Sequence, residues 1–340
     1  MTVFQRFGLF FPVWLMMSCT PLVKEPGPAL VPARLEADAV MTADGARLPL
    51  RSWLPEADGP PRAVVLALHG MNDYANSFEE PGRYLAERGI AVYAYDQRGF
   101  GQGPERGYWA GSRALARDAR VSAGLLTARY PGTPLFLLGE SMGGAVVVTA
   151  LAGPNPPPYV AGAILSAPAV WDRGAMPFYQ RAALWLASRL APGMRLGGEG
   201  LNIRPSDNDA MLEALSRDPL IIKRTRVDVI HGVCDLMGEA SLGVSDLHLP
   251  VLMLYGENDQ VVPAEPSARA MRTLTASPGV RTVAVYRQGW HMLLRDLQAE
   301  IVMADIAAWI EDPERPLPSE ADRRADDWLE ETLPGRNIGK

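Results

Sequence analysis

Short apolar runs at 48–54, 63–68, 90–95, 135–138, 161–165, 251–255 and 282–286 recur along the chain, each closed by glycine, proline or polar residues. Such runs are too short for ordinary helices and too continuous for strands with one wet face. Helical stretches lie between most of them, as at 112–130, 144–151 and 297–310. This alternation predicts an α/β fold with a mostly parallel central sheet covered by helices on both faces. In such sheets the ligand site lies beyond the carboxyl ends of the strands, so chemistry is to be sought just after each run.

The run 135–138 leads directly into Gly139-Glu140-Ser141-Met142-Gly143-Gly144, and a helix-forming Ala-Val-Val-Val follows. This is G-x-S-x-G between a strand and a helix, the arrangement of a nucleophile elbow. A serine on so sharp a turn is thrust out of the sheet, and the crowded backbone needs small residues two positions before and after it. Gly139 and Gly143 supply them. The helix that starts behind Ser141 adds positive potential where an oxyanion would form.

A serine hydroxyl becomes a useful nucleophile only when a base takes its proton and an anion fixes the base's tautomer. The chain has four histidines. In folds with this elbow the order is serine, acid, histidine. His291, in the loop after the last apolar run, fits the base; His231 and His248 follow no core strand, and His69 precedes the serine. Asp259, in Gly256-Glu257-Asn258-Asp259 after the run 251–255, fits the acid, with Glu257 as its rival. Backbone N–H groups serve best as oxyanion donors because they are held rigidly. Met142 offers one directly after the serine. Met71, in His69-Gly70-Met71 after the run 63–68, offers the other, with Gly70 allowing close approach and the His69 ring bracing the loop.

Other chemistries find little support. With 33 basic against 39 acidic side chains and a net charge of -6, the chain lacks the basic excess of a general nucleic-acid binder. Gly99-Phe100-Gly101-Gln102-Gly103 imitates a dinucleotide loop, but Pro104 occupies the place of the last glycine. There is no zinc-type Cys/His cluster and no P-loop, so neither a metal nor a cofactor is expected.

The first residues differ from the rest. Arg6 is the single charge in 1–20, and an apolar stretch leads to Ser18-Cys19. This composition describes an export signal over 1–19. Leu15-Met16-Met17-Ser18-Cys19 resembles a bacterial lipobox, with Met16 departing from the more common leucine, so Cys19 is expected to carry lipid and tether an exported lipoprotein to a membrane surface. The competing reading is an apolar N-terminal helix on a cytoplasmic enzyme. Cys234, then without a disulfide partner, reads as a small buried hydrophobe.

The domain plan that follows has a Pro-rich linker at 20–34, a catalytic domain at 35–170 and 246–312, a helical cap inserted at 171–245, and a charged, loosely docked tail at 313–340. In the cap, 178–190 places Tyr179, Ala182, Ala183, Leu186 and Leu190 at helical spacing. Phe178, Tyr179 and Trp185 are candidates to touch substrate or lipid there, against the alternative that these apolar residues pack on the catalytic domain.

Taken together, His69-Gly70-Met71, the stretch from Tyr95 to Gly101, Gly139–Gly144, Gly256–Asp259 and Gly289-Trp290-His291 resemble the monoacylglycerol lipase and lysophospholipase branch of the α/β-hydrolase fold, also called the serine aminopeptidase S33 or hydrolase-4 family. The resemblance spans roughly 35–311. It implies Ser141, Asp259 and His291 as a triad, Met71 and Met142 as oxyanion donors, and a metal-free serine hydrolase acting on monoacylglycerols, lysophospholipids or similar acyl esters. Amide or thioester hydrolysis on the same triad, or a non-catalytic membrane-tethered binding protein, are the alternatives. Members often continue the His-Gly motif with glutamate and a second histidine; here Asn72, Asp73 and Tyr74 stand in that place.

Overall fold

A computed structural model of the protein describes residues 20–153, 156–171, 173–198, 200 and 202–334. The expected export signal and the lipidated Cys19 lie outside the described residues.

The apolar runs become the strands of one nine-stranded sheet. Its elements are β1 (Arg34–Leu35), β2 (Ala39–Met41), β3 (Arg47–Trp53), β4 (Ala63–Leu68), β5 (Ile90–Tyr95), β6 (Leu135–Glu140), β7 (Val160–Ser166), β10 (Val251–Gly256) and β11 (Arg281–Tyr286). The spatial order is β1-β2-β3-β5-β4-β6-β7-β10-β11. The first three strands run antiparallel to their neighbours, and every pairing from β5 to β11 is parallel. All six residues of β4, β5, β6 and β10 are buried, as a sheet covered on both faces requires.

Alternate side chains feed two cores. Val64, Leu66 and Leu68 point to one face, where they join α2 (Ser112–Arg129) and α3 (Met142–Leu151). Val65 and Ala67 point to the other, towards α1 (Glu79–Ala86) and α8 (Ala299–Glu311). The period of two in the strands thus sorts one run of apolar residues into both layers.

Between β7 and β10 lie α4 (Phe178–Leu190), β8 (Arg195–Gly197), α5 (Asp209–Arg217), β9 (Arg224–Arg226) and α6 (Val227–Gly243), with β8 and β9 paired antiparallel. Part of the expected cap, 171–245, packs into the core of the sheet. Val229, Val233, Leu236 and Ala240 of α6 follow one helical stripe and are buried in the same core as α2 and α3, so α6 belongs to the body. In α4, by contrast, Ser188 alone is buried. The stripe Tyr179, Ala182, Ala183, Leu186, Leu190 faces solvent and Leu184 is half-buried, so the helix turns its more apolar side outward.

Two terminal segments are more closely held than a linker and a loose tail. Val23 forms a parallel bridge to Trp109, and Leu30 and Val31 donate to the carbonyl of Ala43. Residues 321–332 of the charged tail form α9 (Ala321–Thr332), which packs beside α7 (Ala264–Thr275) and buries Ala325, Trp328 and Leu329. Trp328 lies on the ring of Tyr255 in β10, with centroids 5.0 Å apart. One apolar face among many charges was enough to dock the helix.

Candidate active site

Ser141 is half-buried at the junction of β6 and α3, with φ 54° and ψ -116°. A side-chain-bearing residue adopts so strained a backbone only where its surroundings hold it there. The holding bonds are visible: Ser141 N–H donates to the carbonyl of Ser166 at the end of β7, and its carbonyl accepts from Ala169 N–H, both at 3.0 Å. The flanking glycines are steric necessities. A Cβ on Gly143 would overlap the carbonyl oxygen of Leu68, and one on Gly139 would overlap the backbone of Gly143. All these obstacles are backbone.

His291 and Asp259 meet from the loops after β11 and β10. His291 Nδ1 lies 2.8 Å from Asp259 Oδ2, with the two side chains 7% and 0% exposed. A carboxylate accepts here, so Nδ1 carries a proton, and in the neutral ring Nε2 is the nitrogen left as the base. The other carboxylate oxygen of Asp259 accepts from the N–H groups of Val261 at 2.7 Å and Val262 at 2.9 Å. Tyr255 OH closes the same turn on the carbonyl of Val262 at 2.8 Å. The rival acid Glu257 is turned away and paired with Arg324 at 2.7 Å. Among the described residues Ser141 Oγ makes no hydrogen bond to His291, a contact that in unliganded enzymes often tightens only with substrate.

The loop after β4 sits against the elbow, where a Cβ on Gly70 would stand 3.5 Å from that of Ser141. His69 is fully buried. Its Nδ1 lies 2.8 Å from the carbonyl oxygen of Gly70, and its Nε2 accepts from Gln97 N–H at 3.0 Å. The second bond makes Nε2 the unprotonated nitrogen, so Nδ1–H is the donor to Gly70. Burial holds the imidazole below its usual pKa, and it stays neutral. The Gly70 carbonyl and the Met71 N–H belong to one peptide unit, so the ring that grips the first orients the second. No acceptor is bonded to the N–H of Met71 or of Met142 among the described residues, which leaves both for an oxyanion.

His231 pairs with Asp235 one turn along α6 at 3.1 Å, and His248 is exposed ahead of β10. Neither joins the site. The cap candidates Phe178, Tyr179 and Trp185 are 75%, 59% and 50% exposed and face solvent. Cys234 is half-buried, and burial raises its thiol pKa.

Several polar residues to which the sequence reading gave no role hold the loops together. Asp96, Gln97 and Arg98 follow β5 directly. Asp96 accepts from the N–H groups of Ala75 and Gln102, and Gln97 Nε2 donates to the carbonyl of His69 at 2.8 Å. Arg295, four residues past His291, binds Asp73 at 2.8 Å through Nη1 and Glu140 at 3.0 Å through Nη2. It thereby ties the loops that carry Met71, Ser141 and His291. Burial alone would lower its pKa, but the attraction of Glu140 and Asp73 more than offsets this and raises it. Asp296 accepts from Trp290 N–H at 2.7 Å and from Ser206 Oγ at 2.6 Å. A polar side chain directly after an apolar strand was the available signal for Asp96 and Gln97. Arg295 had none beyond its place near His291.

Residues 59–298 match the family described as serine aminopeptidase, S33 (Hydrolase_4). The monoacylglycerol lipase of Mycolicibacterium smegmatis is 28% identical over 279 residues, covering 78% of this chain and 93% of that protein. The monoglyceride lipase of Homo sapiens is also 28% identical, over 278 residues, covering 80% and 89%. Among solved structures, the monoacylglycerol lipase of Paleococcus ferrophilus superposes with a TM-score of 0.65 at 24% identity, covering 78% of this chain and 99% of the other. A soluble variant of the Saccharomyces cerevisiae monoglyceride lipase, in complex with a substrate analog, superposes at 0.68 with 19% identity, covering 85% and 98%. These neighbours share the α/β-hydrolase fold.

Proposed function

The chain belongs to the serine aminopeptidase S33 (Hydrolase_4) family, and from that membership we propose a serine carboxylic-ester hydrolase that cleaves monoacylglycerols, lysophospholipids or related acyl esters. The observation that carries the reading is Ser141 held at positive φ on the strand-to-helix turn. The Asp259–His291 pair on the neighbouring strand ends supports it, as do the lipase names of the similar proteins and the exposed apolar side of α4.

In this mechanism Ser141 Oγ attacks the ester carbonyl while His291 Nε2 takes its proton, and Asp259 stabilises the imidazolium through Nδ1. The N–H groups of Met71 and Met142 receive the developing oxyanion. Such a donor is worth about 3 kcal/mol of barrier. Collapse of the tetrahedral intermediate expels the alcohol, protonated by His291, and leaves an acyl-serine. Water, deprotonated by His291, then releases the acid and restores the hydroxyl.

A fluorophosphonate should label Ser141 in the wild type and not in Ser141→Ala. A panel of monoacylglycerols, lysophospholipids, aminoacyl amides and acyl thioesters, run on both proteins, then identifies the leaving group. Labelling that survives Ser141→Ala, or turnover confined to amides or thioesters, overturns the proposal. Export and lipidation at Cys19 belong to the same reading and rest on the sequence of residues 1–19. Intact-mass analysis of membrane-fraction protein should show an acylated N-terminal Cys19, and an unmodified Met1 in soluble protein would refute it.

A further inference from the structure

The segment 218–225, from the end of α5 into β9, reaches down onto the loop after β4. Its contacts fall on the residues that follow Met71. The Thr225 hydroxyl lies against both ends of the Asn72 carboxamide, accepting from Nδ2 at 2.8 Å and donating to Oδ1 at 3.0 Å. Ile222 N–H donates to the Asn72 carbonyl at 3.0 Å. Tyr74 OH donates to Asp218 at 2.7 Å, and the same carboxylate accepts from Leu220 N–H. Thr225 is 7% exposed.

These bonds bear on a turn. Asp73 N–H donates to the Gly70 carbonyl at 3.3 Å, so 70–73 is a β-turn with Met71 and Asn72 at its centre. Asn72 has φ 68°, and Met71 is not among the residues with positive φ. Positive φ at the third position alone marks the type II form, which glycine adopts freely and asparagine at a cost. Relaxation to the commoner type I form would rotate the peptide between Met71 and Asn72; the Met71 N–H lies on the preceding Gly70–Met71 peptide, and its link to the turn is the Gly70 carbonyl, which accepts from Asp73 N–H. The body side of the turn is fixed by His69 and Gln97. Its far side is fixed from the cap.

We propose that the segment 218–225 is a positioning element of the oxyanion hole, acting through Thr225 on Asn72, so that the Met71 donor is correctly set only while this part of the cap is seated. The inference rests on the proposed ester-hydrolase reading. The coupling gives the chain a route from substrate contact with the cap to the competence of Ser141, without any catalytic group on the cap itself.

The test compares Thr225→Val, Thr225→Ser, Asn72→Gly and the double variant Asn72→Gly/Thr225→Val. The readouts are turnover of a p-nitrophenyl acyl ester and the rate of fluorophosphonate labelling, which requires no natural substrate. Thr225→Val should lower kcat and the labelling rate about tenfold, with KM within about twofold and an unchanged pH profile, because His291 and Asp259 are untouched. Thr225→Ser should retain most of the rate. In the Asn72→Gly background, where glycine holds positive φ without help, the valine substitution should cost little. Wild-type rates for Thr225→Val, or the same tenfold loss in both backgrounds, would overturn the inference while leaving the hydrolase reading intact. A wild type that fails to label at Ser141 would overturn both.

Discussion

Arg295→Met removes a cation that sits between Asp73 and Glu140, at 2.8 and 3.0 Å, with the three side chains 8%, 8% and 2% exposed. At these separations each attraction is about 6 kcal/mol in gross terms for an effective dielectric constant near 20. Most of that only repays desolvation, so the pairs add little beyond what neutral packing would provide. Breaking them is different, because two buried carboxylates then lose their counter-charge. Loss of one partner of a buried network costs about 3–5 kcal/mol, a large share of the roughly 5–15 kcal/mol that holds a domain folded. Urea unfolding followed by circular dichroism should show that loss as a lower midpoint at unchanged slope. The triple variant Arg295→Met, Glu140→Gln, Asp73→Asn should recover most of it, since no charge is left buried. A single variant within about 1 kcal/mol of wild type, or a triple variant less stable than the single one, would refute the reasoning.

Gly143→Ala should abolish fluorophosphonate labelling of Ser141 or leave the protein insoluble, because the new methyl meets the carbonyls of Leu68 and His69, neither of which has a rotamer to give way; labelling at the wild-type rate would contradict this. Asp296 is pushed up to about 6, chiefly by burial, above its unfolded value near 3.9. Its charge therefore costs stability that is fully lost above pH 6 and regained as the pH falls towards 4, and the unfolding free energy of Asp296→Asn relative to wild type should rise by about 2 kcal/mol between pH 4 and pH 7. A pH-independent difference in urea titrations would exclude that role. Trp328→Ala empties the contact with Tyr255 and should cost about 3–5 kcal/mol by the same measurement, whereas a merely loose tail would tolerate it with under about 1 kcal/mol.

Much of the molecule could be read from neighbours along the chain. The apolar runs located the core strands to within a residue or two, because burial on both faces of a sheet demands unbroken apolar stretches. The elbow was equally legible, since a strained serine leaves its mark in Gly139 and Gly143, both within two residues of it. Asp259 and His291 could be named because each follows a strand whose end the parallel sheet brings to one rim. What the sequence left open depended on which distant faces meet. The sequence reads as a cap over 227–243 and a loose tail over 321–332, and only the assembled layers showed that α6 lies on α2 and α3 and that Trp328 lies on Tyr255. The side chains of α4 followed a helical stripe that turned out to face water, because spacing reports shared direction and not what lies in that direction.

The sequence by itself determined the strand and helix alternation, the strained serine turn and the order of the proposed reacting groups, all of which are written in local composition and spacing. The tertiary structure decided how those groups are held. Arg295 meets Glu140 across 155 residues of chain and Thr225 meets Asn72 across 153, and Gln97 orients His69 from the loop after the neighbouring strand β5. A hydrogen bond has no period and leaves no trace in composition, so a partner that distant becomes visible only once the sheet has brought the two loops together.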